Sequence, residues 1–307
     1  MKNQIHKIPI IMYHRILNNK DIGSFSSYCE VNSVLEISDF NEQINFLNKI
    51  YSIISLSKLI AYLKGEANIS SNSCVISFDD GYIDHYQNVF PILKELGLPA
   101  VFFIVGDCIS GTKKVRWLDK FYYILDNTPY KKDSGKFNDI MSSFYKTEIK
   151  QDDQYEYSKL KKFIRNSSEK NIIIDRLSLV LDVKLDLDEL NKKLYLSKEN
   201  ILEMLNNGME FGAHSMSHPD LNIVTPKNAE KEIISSGIII RDLTNKEEIP
   251  FAYPFGGQKT YSENIIQILK ENNFSCACTS TPGLNERNTP IFELKRIDAI
   301  NLLSNGL

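Results

Sequence analysis

Two short stretches place the residue types of metal-assisted hydrolysis at the ends of apolar runs. In Ser77-Phe78-Asp79-Asp80-Gly81, two carboxylates follow the run CVISF and precede a glycine. Adjacent like charges resist joint ionisation, so a pair at the end of a buried strand needs a positive partner. In GAHSMSHPD, His214 and His218 follow the run MEF, and Pro219 comes directly after. Two imidazoles and one carboxylate form a common open zinc or iron site, with positions left for water and substrate. The chain has five histidines, and two of them fall in this one loop. Asp80, His214 and His218 are therefore the inferred ligands of one divalent metal, and that metal is the expected positive charge beside the Asp pair. Neighbouring residues of an extended strand point to opposite faces, so both carboxylates can serve one centre only if the strand end bends, and Gly81 supplies that freedom. Taken singly, an Asp-Asp dipeptide is most often a solvated turn or a helix cap, and His-x-x-x-His is more often two packed or exposed histidines. Their joint placement after strand-like runs favours a site.

The elements that must position these residues are legible as apolar, β-branched runs: PIIMY, YSIIS, CVISF, AVFFIV, MEFGA, PFAYP and FSCACTS, about seven strands. Helical periodicity lies between most of them. Ser38 opens one helix with Phe40, Ile44, Leu47 and Ile50 on one face, a second runs from about Asp84 to Leu96 and stops at Gly97, and a third runs from Ser197 to Asn207 and stops at Gly208. This alternation predicts parallel βα units, and so a barrel or a doubly wound sheet, with catalytic groups at the carboxyl ends of the strands. From about Gly111 to Tyr195 the rhythm breaks into a stretch rich in Lys, Asp, Glu and Tyr. It reads as a mostly helical insertion whose one β-like run is NIII.

Bulk properties exclude other roles. A 307-residue chain with 42% hydrophobic residues can build a sizeable core. The net charge of -3 gives no general attraction to nucleic acid or to an anionic membrane, and neither is an expected partner. Five cysteines without a CxxC pair argue against a disulfide framework and a thiolate zinc site; Cys276 and Cys278, at strand spacing, read as small apolar residues on one strand face. The N-terminal apolar run Ile8 to Tyr13 is too short for a signal-peptide core or a membrane span, which leads to the expectation of a cytoplasmic protein, at most peripheral to the membrane.

SFDDG, HSMSHP and FAYPFGG, in that order, resemble the polysaccharide deacetylases of the NodB-homology type, carbohydrate esterase family 4. ISFDDGYIDHYQNVFPILKELGLPAVFFIVG is similar to that family almost throughout, and with YHRI near the N-terminus and the late LKRID the resemblance covers most of the chain outside the insertion. It implies a distorted (β/α)7-type barrel forming one deacetylase domain over residues 1–307, with the helical insertion at 111–195 inside it. It also implies removal of acetyl groups from sugars by a metal-activated water, with Asp80, His214 and His218 as ligands and Asp79 as general base. The Phe255 N–H would face the tetrahedral oxyanion.

Two departures matter. Many members carry an Arg before the Pro-Tyr of the third motif to orient the base, whereas here Ala252 and Tyr253 occupy that region; and no histidine follows His218 to protonate the leaving amine. The chain is similar to exopolysaccharide deacetylases that begin with a Tyr-His motif, in which the first-strand histidine is the general acid; His14 occupies that place. Arg296 in LKRID, supported by Asp298, is the candidate for the base-orienting guanidinium. Strand-end backbone bonding for His14 and an ordinary ion pair for Arg296 are the plain alternatives. His85 and His6 read as solvated or helix-face residues and Asp84 as a brace of the loop. Trp117, Phe121, Tyr122 and Tyr123 fit insertion packing better than a sugar platform.

The resulting expectation is a metal-dependent N-deacetylase acting on an acetylated amino-sugar glycan, or on its lipid-linked or nucleotide-linked precursor, in surface polysaccharide biosynthesis. Zinc is the default metal, with iron, cobalt or nickel able to fill the same geometry. The competing readings are an amidase on a small non-sugar C–N bond and a catalytically silent glycan-binding module.

Overall fold

The structure is a computed structural model that describes residues 6–29, 34–110, 114–149 and 156–302. Its centre is built on runs that are buried throughout at Ile10–Tyr13, Ser73–Phe78 and Val101–Ile104 and at most positions of Glu210–Ala213 and Ile249–Ala252, the pattern of parallel strands covered on both faces. The strands are β1 (Ile10–Tyr13), β2 (Ser73–Phe78), β3 (Val101–Ile104), β4 (Glu210–Ala213), β5 (Ile249–Ala252), β6 (Phe274–Pro282) and β7 (Leu294–Asp298). They pair in parallel in the order β1-β7-β6-β5-β4-β3-β2, and β1 also pairs with β2, with Ile10 opposite Val75 and Tyr13 opposite Phe78. This closes a seven-stranded (β/α) barrel.

Alternation along the strands divides the core. Ile10, Val75, Val101, Phe103, Cys276, Cys278 and Leu294 form one cluster, which fills the barrel and is stoppered by Leu56, Leu59 and Ile60 of the helix Leu56–Leu63. The intervening residues, among them Ile76, Phe78, Phe102, Ile104, Phe211 and Phe251, pack outward on helices such as Ile37–Ile50, Phe90–Leu96, Pro226–Thr244 and Glu263–Glu271. Cys276 and Cys278 are thus small buried apolar residues on one strand face.

Between β3 and β4 the chain makes helices Trp117–Asn127, Ser134–Ile149, Tyr157–Asn166, Lys170–Val180 and Leu187–Leu194. They pack around a second apolar cluster that includes Phe121, Met141, Tyr145, Leu160, Ile174 and Leu177. Residues 111–113 and 150–155 of the expected insertion lie outside the described residues.

Several elements differ from the reading of the sequence. NIII is helical, within Lys170–Val180, because Ile173, Ile174 and Leu177 share the face buried against neighbouring helices; tertiary burial overrides β-propensity. YSIIS yields only the two-residue strand Ser52–Ile53 beside the start of β2, and the seventh barrel strand is LKRID, whose Lys-Arg pair hides it from an apolar-run search. The first long helix begins at Ile37, one residue before Ser38, and its Ile50 is 37% exposed while Phe40, Ile44 and Leu47 are buried. The segment after Asp84 opens as a single π turn over His85–Val89 before the α-helix Phe90–Leu96, which ends at Gly97 in left-handed backbone. Ser197 caps Lys198–Asn206 with its hydroxyl accepting from the Asn200 N–H, a capping box that fixes where the chain turns back toward β4.

Candidate active site and metal centre

The carboxyl ends of β1, β2, β4 and β5, with Arg296 of β7, converge on one cavity of about 390 Å³ lined by His14, Asp79, Asp80, His214, His218, Phe255 and Arg296. The size suits a sugar-scale ligand. Backbone strain collects here: Asp80, Ser215, His218 and Phe255 all have left-handed backbone, with φ of 80°, 59°, 57° and 62°. The other non-glycine residues in that region, among the described residues, are Asp182, Asn245 and Asn273, types that tolerate it. Such strain persists only where surrounding contacts over-determine it. The bend that turns the two carboxylates toward one centre therefore begins at Asp80 itself and continues through Gly81, at φ 73°.

Asp79 extends the inward-facing series of β2, and Arg296 meets it from β7, which lies on the other side of β1. The guanidinium donates from Nη1 to Asp79 Oδ1 at 2.7 Å and from Nη2 to Oδ2 at 2.8 Å, while its Nε donates to the Thr279 carbonyl at 2.7 Å. Both partners are buried. Burial alone would raise the Asp79 carboxyl, but the charge and hydrogen bonds of Arg296 override it and hold the group below its ordinary value. A carboxylate that accepts two such bonds keeps lone pairs free to take a proton. Asp298 does not hydrogen-bond to Arg296; its carboxylate caps the turn Ala299–Asn301 by accepting from the Ile300 N–H. The hydrogen-bonded support of Arg296 is the Thr279 carbonyl, and Asp298 acts on it through its charge alone, which helps to raise the Arg296 pKa.

Asp80, His214 and His218 bring one ligand atom each within 4.8 Å of one another, with Asp80 Oδ1 at 3.7 Å from His214 Nε2 and 3.5 Å from His218 Nε2. The donor set fits a divalent metal. His214 Nδ1–H donates to the Ala252 carbonyl at 2.7 Å, which fixes the tautomer and leaves the Nε2 lone pair facing Asp80. Burial lowers the pKa of both imidazoles, more than the nearby carboxylates raise it, so both stand in the neutral, ligating form.

No motif marks the group that meets Asp80. Arg116, at the start of the helix Trp117–Asn127, donates from Nη1 to Asp80 Oδ1. Its Nε donates to Asp119 Oδ2 at 2.6 Å and its Nη2 bonds the Tyr82 hydroxyl. Asp119 is fully buried and accepts from the hydroxyls of Tyr28 at 2.7 Å, Tyr82 at 2.8 Å and Tyr195. Burial opposes the Arg116 charge, but Asp119 and Asp80 outweigh it, and Arg116 stays cationic. The same balance holds Asp80 well below its ordinary value: burial raises it, and the charge of Arg116 lowers it further. The positive charges facing the Asp pair are thus two guanidiniums, Arg296 on Asp79 and Arg116 on Asp80, with the metal site beside them. A lone Arg in a loop 36 residues away has no characteristic spacing, so only its tertiary contact identifies it.

Of the remaining expected residues, His14 and Phe255 both line the cavity. The Phe255 ring and the His218 ring make a T-shaped contact, and the Arg165 guanidinium lies over the Phe255 ring, 3.7 Å from its centroid. Among the described residues the Phe255 N–H donates to no protein acceptor. Trp117, Phe121, Tyr122 and Tyr123 all pack in the helical cluster, as the packing reading expects, and Trp117 and Tyr122 also line the cavity. Of the two readings of His85, solvation fails and a contact from the helical turn holds: it is fully buried, and its Nε2 donates to the His14 carbonyl at 2.6 Å. Asp84 braces the same segment, and His6 stacks on Tyr62.

Residues 67–127 and 137–277 match the polysaccharide deacetylase family. The chain belongs to that family. As a polysaccharide deacetylase it is a carbohydrate-directed hydrolase. It is 18% identical over 292 residues to YxkH of Bacillus subtilis (strain 168), covering 95% of this chain and 71% of that one. It is 34% identical over 98 residues to the poly-beta-1,6-N-acetyl-D-glucosamine N-deacetylase of Staphylococcus aureus (strain MSSA476), a match that spans 30% of this chain and about a third (34%) of that relative. Its fold is like that of the Streptococcus pyogenes deacetylase PplD, solved in complex with acetate, with a TM-score of 0.59, 19% identity and 98% of both chains covered. No helix among the described residues is long and apolar enough to cross a membrane.

Proposed function

We propose that this polysaccharide deacetylase removes the N-acetyl group from an amino sugar of a glycan or glycan precursor. The observation that carries the reading is the juxtaposition of the Asp79–Arg296 pair with the Asp80, His214 and His218 cluster in one cavity. The S. aureus relative supports the N-linked choice, because its name specifies N-deacetylation of an N-acetylglucosamine polymer. A divalent cation in the cluster, zinc by default, would supply positive charge that acidifies water and polarises the acetyl carbonyl.

The chain's own residues account for the other steps. Arg296 holds Asp79 in register as general base, and Asp79 takes the proton of the water whose oxygen bonds to the acetyl carbon. The Phe255 N–H points at the oxyanion that forms. As the C–N bond breaks, His14 donates a proton to the departing nitrogen, which leaves as a free amine beside acetate. The described residues of the 111–195 stretch serve as a helical insertion within the one catalytic domain, with Arg116, Trp117 and Tyr122 walling the sugar site.

The deciding experiment measures metal content of wild type, Asp80→Ala and His214→Ala, with acetate release from an N-acetylglucosamine oligomer on the same samples. One metal per chain lost in both variants together with turnover supports the reading. No stoichiometric metal after reconstitution, with glycan still bound, would replace it with a silent binding module, and ammonia release from cyclic amides in place of acetate would replace it with an amidase. The precursor form is tested by comparing nucleotide-linked, lipid-linked and polymeric substrates, and the cytoplasmic placement by fractionating cells that make the native protein; its recovery outside the cell would overturn it.

A further inference from the structure

The backbone that carries His14 is held by side chains from a single turn of the segment following the Asp pair. The barrel ladder ends at Tyr13, whose carbonyl accepts from the Asp79 N–H at 3.0 Å. Past that point His85 Nε2 donates to the His14 carbonyl at 2.6 Å, Asp84 Oδ2 accepts from the Ile16 N–H at 3.0 Å, and Asn88 Nδ2 donates to the Ile16 carbonyl at 2.7 Å. Asp84 Oδ2 also accepts from Arg15 Nε at 3.3 Å, and the Arg15 guanidinium lies over the rings of Phe25, Tyr28 and Tyr82. Three backbone groups of a three-residue segment are thereby fixed by the π turn and the aspartate that immediately precedes it, an irregularity common at functional sites.

His85 is an expensive way to fill this space. It is fully buried against Phe78 and Phe102, and among the described residues its Nδ1 has no hydrogen-bond partner, so a buried acceptor is left unsatisfied where a phenyl ring would pack without that cost. Among the described residues its side chain makes one hydrogen bond, the one to the His14 carbonyl.

We propose that Asp84 and His85 are positioning residues that set where the His14 imidazole stands over the scissile bond. The proposal rests on the reading of His14 as proton donor to the leaving amine, and it gives the DDGYIDH stretch two roles. Its aspartates serve the water side of the reaction, and its Asp-His pair aims the acid.

The test uses His85→Phe, which keeps ring volume and loses the donor, and His85→Gln, whose amide nitrogen restores a donor near the Nε2 position. Both are assayed, metal-loaded, on an N-acetylglucosamine oligomer and on an aryl acetate, whose phenolate leaves without protonation. His85→Phe should lose about 10- to 100-fold in kcat on the amide, with KM within twofold, and within twofold of wild type on the ester; His85→Gln should recover most of the amide rate. Equal loss on both substrates, or no loss on the amide, would overturn the proposal. His14→Ala separates the two layers: if it spares amide turnover, the reading of His14 itself fails, whereas amide-selective loss in His14→Ala with an unaffected His85→Phe refutes only the positioning role. A crystal structure of His85→Phe supplies a readout independent of turnover. The His14 ring should be displaced, and an unmoved ring would refute the proposal.

Discussion

Replacing Arg296 by Met removes one half of a bidentate ion pair buried inside the barrel and leaves the other half in place. Asp79 then keeps its desolvation without the guanidinium, and Thr279 loses a donor to its carbonyl. Breaking a buried pair on one side costs about 3–5 kcal/mol. At about 2.1 cal/mol/K of unfolding entropy per residue, a chain of 307 residues has about 0.6 kcal/mol/K, so Tm should fall by about 5–8 °C. The pH dependence carries the sharper sign. In the wild type the Asp79 pKa lies below its unfolded value, so the pair's stabilisation is present above that value and is lost only as pH falls through the folded pKa, below about pH 4. In Arg296→Met burial dominates, the folded pKa rises above the unfolded one, and the penalty is full at neutral pH and fades toward pH 4. Calorimetric Tm of the two proteins should therefore converge as pH drops from 7 to 4. In parallel, the acid limb of kcat/KM should move to higher pH, and kcat should fall by about a hundredfold as the base loses its orientation. The double variant Asp79→Asn/Arg296→Met, with both charges gone, should regain part of the lost Tm. A variant with wild-type Tm at pH 7 and an unmoved acid limb would refute this account of the pair.

Asp79→Asn alone should retain one metal per chain and lose about 10²- to 10⁴-fold in kcat/KM, measured by acetate release; loss of the metal would make Asp79 a ligand instead of the base. Arg116→Met leaves Asp80 and Asp119 without their shared guanidinium, and the metal-free protein should melt several degrees lower; an unchanged melting curve in chelator would show that the tyrosine hydroxyls suffice for Asp119 and that Asp80 needs no compensation. Gly256→Ala puts a Cβ 2.4 Å from the Ser280 backbone nitrogen at a φ of 60°, so the turn next to Phe255 must shift; stability should drop by more than about 1 kcal/mol in denaturant titration, with kcat reduced, and a neutral effect would show that this turn adapts freely.

Local sequence carried much of the barrel and the first half of the site. Strands buried on both faces must be continuous apolar runs, so β1 through β6 could be read directly, and the Asp79-Asp80 and His214/His218 motifs announce themselves because the chemistry needs several rare residue types within a few positions of each other. Arg296 could be named as a candidate from the motif around it, but its bidentate geometry on Asp79 and its Thr279 support come from strands β2, β6 and β7 meeting in a closed barrel. Where local signals conflict with burial the sequence misleads: NIII has β-branched side chains yet lies on a helix, because the face it shares with Leu177 is covered by other helices.

What only the tertiary structure decided is which polar groups answer the buried charges. Arg116, Asp119 and the tyrosines 28, 82 and 195 are spread over 168 positions with no common spacing, and His85 looks like any helix-face histidine until its ring is found beneath His14. A metal ligand or a base must be a particular residue type, and that constraint is written in the sequence. A compensating charge or a hydrogen-bond donor can arrive from any element that the fold brings within about 3 Å, so its identity is settled by packing.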